Sequence, residues 1–450
     1  MAVEPELADA VAGVVPRLTP GVELIGEYQG SGFQQPRFLV RRADGQVIQL
    51  SRLLYLLTTA VDGQRDLVQV AATVSEQFGR VVLAPQVLYL IDNRLRPVGL
   101  VVADPQAGTE APAKIKKTSD PLLALKFRVA VIPKRAVWRI GGVFVPLFWP
   151  PVILAAVTGF IGLDGLLLAR GALGQTAPST LALVYQPTST LWVLAMILAS
   201  AAFHECGHVT ACRYGGATPG VMGFGVYLVW PTFYSIVTDS YRLNRIGRLR
   251  TDLGGVYFNA VSIAGMSLVY LGTKAPWLLV AIVALHIETA MQFLPIVRMD
   301  GYYILSDLVG VPDLFSRMGP VLKSMIPGQS AHPRVTELKP WVRRTITLWV
   351  AIVVPTLLYW TIRLVIGVPR VLPVAYTKLL ELSHATSAAA AAGNIPKTTV
   401  DIVQVVLLLL PWTGLLLLLG RLAQRPARLI LAHWSTAQSQ AKRPLSPTRS

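Results

Sequence analysis

Long apolar runs recur from about residue 143 onward, and they constrain the fold of this chain more than any other feature. Stretches such as 191–202, 277–286 and 405–419 hold no Asp, Glu, Lys or Arg. Of the 450 residues, 53% are hydrophobic and only 14% charged, whereas a soluble domain carries about 25% charged residues to cover its surface. The apolar surplus must face lipid. Six spans of about 20 residues, each long enough to cross ~30 Å of hydrocarbon, are expected at roughly 143–163, 189–213, 253–273, 275–297, 344–367 and 400–420. The segment 371–393 is a candidate for a further interfacial helix.

Charge sets the expected orientation. Residues 1–113 hold 9 Arg against 12 acidic residues, and the remainder holds 32 basic against 12 acidic. An acidic head on a basic, apolar body points to membrane topology and anionic lipid rather than nucleic acid. Arg and Lys crowd 114–139, 242–250, 317–344 and 421–449, whereas 164–188 has only Arg170 and the turn at 273–275 only Lys274. The positive-inside rule then places both termini in the cytoplasm of a multi-pass protein of the cell membrane. The first 20 residues carry acids and prolines instead of a basic start and apolar core, which is not a signal-peptide pattern. Two cysteines, Cys206 and Cys212, make no disulfide framework.

Ahead of the spans, residues 18–103 read as a small α+β domain after a tail at 1–17. Segment 37–50, RFLVRRADGQVIQL, is two extended runs around a turn at Ala43-Asp44-Gly45. Helical patterns follow at 51–61, at 66–78 ended by Gly79, and at 84–94 with Pro85 at its start. A hairpin with three short helices fits a winged-helix-like module. Residues 104–137 read as a basic linker, 138–310 as a membrane-embedded core, 311–420 as further transmembrane helices and 421–450 as a basic cytoplasmic tail. The expected fold is therefore mainly α and polytopic.

The strongest chemical signal is His204-Glu205-Cys206-Gly207-His208. On a helix, positions i and i+4 face the same way, so both imidazoles reach one tetrahedral zinc while Glu205 reaches the water in its open position. A chance match to this pattern in such a chain is on the order of one in a thousand. Ionisable groups within an apolar span are costly, which favours function over two histidines merely satisfied in a bundle.

A catalytic zinc wants a third protein ligand, and Asp300 is the best placed. His204 lies ~22 Å along an inward-running span, and Asp300 follows a span that also ends inside, so the two motifs reach the same membrane depth. A helix N-cap is the alternative role for Asp300. His286 and Glu288 either support a ligand or pair within the bundle. Asn259 either donates to an oxyanion or bridges helices. Residues 220–238, rich in Gly and aromatics and broken by Pro231, suit either a re-entrant hairpin with an edge for an extended substrate or an interfacial loop.

Residues 203–216, FHECGHVTACRYGG, resemble the metal-binding span of the site-2 protease family of intramembrane zinc metalloproteases. Residues 292–307, QFLPIVRMDGYYILSD, resemble that family's second motif, in which the aspartate before glycine completes the zinc site. The region 223–259, with Pro231-Thr232-Phe233-Tyr234 and Asp252-Leu253-Gly254-Gly255, is similar to the connecting region of a bacterial peptide-metalloprotease branch. The resemblance implies one zinc per chain held by His204, His208 and Asp300, with Glu205 as general base. It also implies a substrate-orienting role for residue 292, where Gln stands in place of the Asn of many relatives. A PDZ-like domain is absent, and 18–103 instead resemble a PqqD-type module, a fold that holds leader peptides.

These readings imply a zinc metalloendopeptidase acting on a peptide or membrane-protein substrate at the bilayer and maturing a leader-bearing peptide. In that scheme deletion of 1–110 weakens peptide capture and leaves metal binding intact. Two rivals are regulated intramembrane proteolysis of a membrane-anchored regulator and a non-catalytic membrane receptor. Glu205 speaks against the second, since a structural metal site needs no base.

Overall fold

The computed structural model describes residues 14–102, 126–227, 230–328, 330–410 and 412–414. The expected basic tail at 421–450 and most of the expected linker lie outside the described residues.

The N-terminal unit is an antiparallel sheet, β1 (Glu23–Glu27), β2 (Arg37–Arg41) and β3 (Val47–Ser51), in that order. Arg41 pairs with Val47, so the hairpin turns at 42–46 as the Asp44-Gly45 signal requires. Gly45 takes φ +83°, and Asp44 Oδ1 accepts from Gln46 N at 3.1 Å. Helix α1 (Arg52–Ala60) starts on the Ser51 cap. Helix α2 (Leu67–Phe78) opens with a reciprocal Asp66–Gln69 capping box and stops at left-handed Gly79. Helix α3 (Ala84–Leu90) carries Pro85 in its first turn and runs on as a wider turn to Leu95. Val40, Leu50, Leu57, Leu67, Val70, Val74, Val87 and Ile91 form the core between sheet and helices. Each contributes about 1.5–3 kcal/mol by burial.

The expected linker becomes structure where it is described. Strand β4 (Lys126–Ile132) and helix α4 (Lys134–Phe144) occupy its end. Its lysines suggested solvent, but the period-two alternation of KFRVAVI is that of a strand, and Pro133 caps the helix that follows.

Among the described residues, five helices are long and apolar enough to cross a membrane: α5 (Pro150–Ala169), α7 (Pro187–Tyr214), α8 (Arg245–Thr273), α13 (Pro340–Ala391) and α14 (Ile395–Gly414). Six were expected. The fourth, α9 (Pro276–Gln292), has only 17 residues because the chain leaves the helix ahead of Pro295. The first starts late, since Pro146, Pro150 and Pro151 delay it. Helix α6 (Ala172–Tyr185) fills what reads in sequence as an external loop. The segment 371–393 holds no separate helix: as far as Ala391 it continues α13, whose 52 residues span about 78 Å.

Among the described residues, three short helices lie between α9 and α13: α10 (Asp300–Val309), α11 (Phe315–Ser324) and α12 (Pro333–Thr336). Helix α8 is the most buried of the long helices and α5 the least, so α8 is the central post. A Cβ on Gly207 of α7 would overlap Gly254 O of α8, and one on Gly254 would sit 2.5 Å from Gly207 O. Only glycine allows two helix backbones to meet this closely. The second sheet is β4, β5 (Met222–Tyr227) and β6 (Trp230–Ser235), antiparallel throughout with β6 at the edge.

Candidate metal centre

Helical geometry sets His204 and His208 one turn apart on the buried face of α7, where they are 6% and 8% exposed. Their Nε2 atoms lie 3.1 Å apart. Asp300 arrives from the other side as the first residue of α10. A side chain on Gly301 would overlap Phe293 O, so this glycine permits the tight return that brings Asp300 in. The cap of α10 is Met299, not Asp300, which leaves the carboxylate available. Asp300 Oδ2 is 3.1 Å from His204 Nε2, and Oδ1 is 3.5 Å from His208 Nε2.

These separations suit one small ion. Ligands at about 2.0–2.1 Å around a tetrahedral zinc lie about 3.3 Å from one another. Asp300 Oδ2 is buried and close to an imidazole nitrogen, yet it makes no hydrogen bond.

Further residues that shape the triad escape a sequence reading. His208 Nδ1 lies 2.8 Å from Thr251 O. A carbonyl only accepts, so Nδ1 carries the proton and Nε2 presents its lone pair. His204 Nδ1 is buried with no hydrogen-bond partner. Gly255 closes the third wall, where a Cβ would overlap Nε2 of His204. Glu205, half-buried, accepts from Ser235 Oγ at 2.6 Å. The candidate base is thus tied to the last residue of the edge strand β6.

Three of the other expected residues gather beside the triad. Asn259, buried on α8, donates from Nδ2 to Thr289 Oγ1 at 3.1 Å and to Gln292 Oε1 at 3.0 Å. Gln292 Nε2 reaches Glu288 Oε1 at 3.4 Å. His286 does not join them. Its Nε2 lies 2.9 Å from Asp164 Oδ2 on α5 and its Nδ1 2.9 Å from Ile282 O. His204, His208 and Asp300 are the set with metal-binding spacing among the described residues. Cys206 and Cys212 are free thiols.

No family model matches this chain, and no solved structure does. A stretch of 131 residues is 27% identical to "Putative peptide zinc metalloprotease protein YydH" of Bacillus subtilis (strain 168). The likeness covers 28% of this chain and 52% of the relative, so the chain spans about half of that protein's length. It supports a zinc metalloprotease relationship for a chain whose described residues include five helices long and apolar enough to cross a membrane and a His–His–Asp cluster.

Proposed function

We propose that this protein is an intramembrane zinc endopeptidase of the site-2 type. The observation that carries the reading is the convergence of His204 Nε2, His208 Nε2 and the Asp300 carboxylate within 3.5 Å, with Glu205 following His204 on the same helix as the candidate base. When bound, zinc supplies Lewis acidity toward a peptide carbonyl and toward water. Glu205 takes the proton of the attacking water and returns it to the departing amine. Ser235 Oγ holds one oxygen of Glu205, which leaves the other for this transfer. Asn259, with Gln292 and Glu288, orients the substrate backbone beside the triad.

The substrate enters as an extended strand. A helix hides its carbonyls in hydrogen bonds, so a membrane-embedded segment must unwind before attack. The outer edge of β6 offers backbone partners for the unwound segment, and Ser235 sets its register against Glu205. We assign the N-terminal unit a PqqD-like role in holding a leader peptide at the cytoplasmic face. An apolar groove of about 510 Å³ lined by Leu53, Phe78, Val81, Pro85 and Tyr89 supports that assignment. Val81 and Tyr89 are 81% and 62% exposed there, so the groove presents apolar surface.

The deciding experiment is zinc content of detergent-purified protein. Wild type is expected to hold about one zinc per chain, with loss in His204→Ala and in Asp300→Ala. Glu205→Gln should keep the metal while cleavage falls by about 10²–10⁴-fold. Full zinc in Asp300→Ala would move the third ligand elsewhere and overturn the site.

A further inference from the structure

The connection between β1 and β2 leaves the N-terminal unit and enters the membrane body. Tyr28, 1% exposed, donates from its hydroxyl to Asp307 Oδ1 at 3.2 Å. Arg248, fully buried, covers the Tyr28 ring at 4.3 Å and donates from Nε to the same Asp307 oxygen at 3.1 Å. Its Nη2 reaches Gln29 O at 3.0 Å. Farther along, Gly32 N donates to Gly310 O at 3.0 Å, and Gly32 O accepts from Lys339 N at 2.9 Å. A Cβ on Gly32 would overlap Val309 O, and one on Gly310, at φ +68°, would overlap Gly30 O. Phe33 then packs into the cluster of Tyr302, Ile346 and Trp349.

What this loop grips is specific. Asp307 lies two turns after Asp300 on α10, and Arg248 lies one turn before Thr251 and two before Gly255 on α8. Residues at these spacings share a helix face. The loop therefore fastens one end of the same two helices that supply Asp300, the Thr251 carbonyl behind His208, and the Gly255 wall. Helix α10 has only ten residues, about 15 Å of helix, between its tight entry at Gly301 and its stop at Gly310. A rod this short, released at one end, moves at the other.

We infer that Tyr28 is a positioning residue for the metal centre, acting through Asp307 and Arg248. The N-terminal unit clamps α10 to α8, and the clamp sets Asp300 against the histidine pair. The inference rests on the zinc-site reading above. It also reverses the expectation that removal of the head leaves metal binding intact, because a capture module on a tether would not share buried ionic contacts with the site's own helices.

The test uses the full chain in detergent. Zinc affinity is measured by competition with a chromophoric chelator, and the visible bands of the Co²⁺-loaded protein report the coordination geometry. Removing a direct hydrogen-bond partner of a ligand costs about 10–100-fold in metal affinity. Tyr28→Phe acts one step further out, and a loss of about 3–10-fold with shifted Co²⁺ bands is expected on that scale. Arg37→Ala is the control. It cuts the Arg37–Glu337 pair of the same interface, whose two residues lie on neither α8 nor α10, and should leave affinity and bands unchanged.

Wild-type affinity and bands in Tyr28→Phe would overturn the clamp, and so would an equal loss in Arg37→Ala, which would mean general loosening. If Tyr28→Phe does not accumulate folded, Arg248→Lys takes its place with the same expected and overturning results. A wild-type chain that binds no zinc would fail the metal-site reading and take the clamp with it, whereas zinc-bound wild type with an indifferent Tyr28→Phe fails the clamp alone.

Discussion

Gly255 faces Nε2 of His204 and Nε2 of His208 so closely that any side chain would displace the rings or take the space between them. Within a helix, Gly→Ala ordinarily stabilises by ~1 kcal/mol. Gly255→Ala is therefore expected to separate two quantities that usually move together. Helix content and thermal midpoint of the apoprotein should hold or rise, while bound zinc falls toward none. Zinc retained at the wild-type level would show that the ion does not sit between these residues. Ser235 gives a second split. Its bond to Glu205 is to a charged group, a class worth about 1.5–3 kcal/mol. Ser235→Ala should lower the turnover number on a membrane-embedded reporter peptide by about tenfold or more on that scale, with zinc content unchanged. How much of this was legible in sequence follows from range. His204, Glu205 and His208 are read from i, i+4 spacing alone, and Asp300 from the depth at which a span ends. Ser235, Thr251 and Gly255 lie 30 or more residues from their partners, and nothing local marks a serine, a carbonyl or a glycine as facing a particular histidine.

At the scale of elements, the crossing of α7 and α8 decides whether those residues can meet. Gly207 and Gly254 bring the two backbones into contact, and the glycine of His204-Glu205-Cys206-Gly207-His208 serves packing rather than chemistry. Gly207→Ala would press a methyl group into the facing carbonyl. Overpacking of this kind costs about 1–3 kcal/mol, so a lower thermal midpoint and weaker zinc binding are expected together, unlike the split at Gly255. An unchanged midpoint would mean that the helices are free to part. Elements with chemical punctuation were readable: α2 between Asp66 and Gly79, and the hairpin around Asp44-Gly45. Those without it were not. Strand β1 contains Gly26 at φ +115° and a register shift, which blur its alternation. Strand β4 hides among lysines, and α6 lacks charge at either end. The expected span at 344–367 already ran through Pro355 but stopped short of Pro369 and Pro373, whereas α13 passes through all three.

For the molecule as a whole, the question is what holds the N-terminal unit to the membrane body. The interface has a rim and a centre with different physics. On the rim, Glu23 bonds Arg242 and, at 2.5 Å, Arg41, and Arg37 meets Glu337 at 2.6 Å. The Arg242 bond, opposed by slight burial and aided by Arg41, holds the Glu23 carboxyl below its ordinary range. A carboxyl lowered on folding stabilises above its unfolded value of about 4.3 and loses that contribution as pH falls through the lower folded value. The rim should thus weaken in acid, by a small amount because Glu23 is largely exposed. At the centre, Arg248 is out of contact with water and shares Asp307 with Tyr28. Burial pushes the Asp307 carboxyl up and the Arg248 guanidinium opposes it, so the charge on Asp307 depends on that partner. Removing one member of a buried pair strands the other and costs about 3–5 kcal/mol, whereas an exposed pair contributes about 0–1 kcal/mol. Thermal unfolding in detergent should therefore show Arg248→Ala strongly destabilised and Arg37→Ala nearly neutral. Equal midpoints for the two would place the attachment in the apolar contacts of Phe33, and the buried ionic centre would then serve geometry rather than stability.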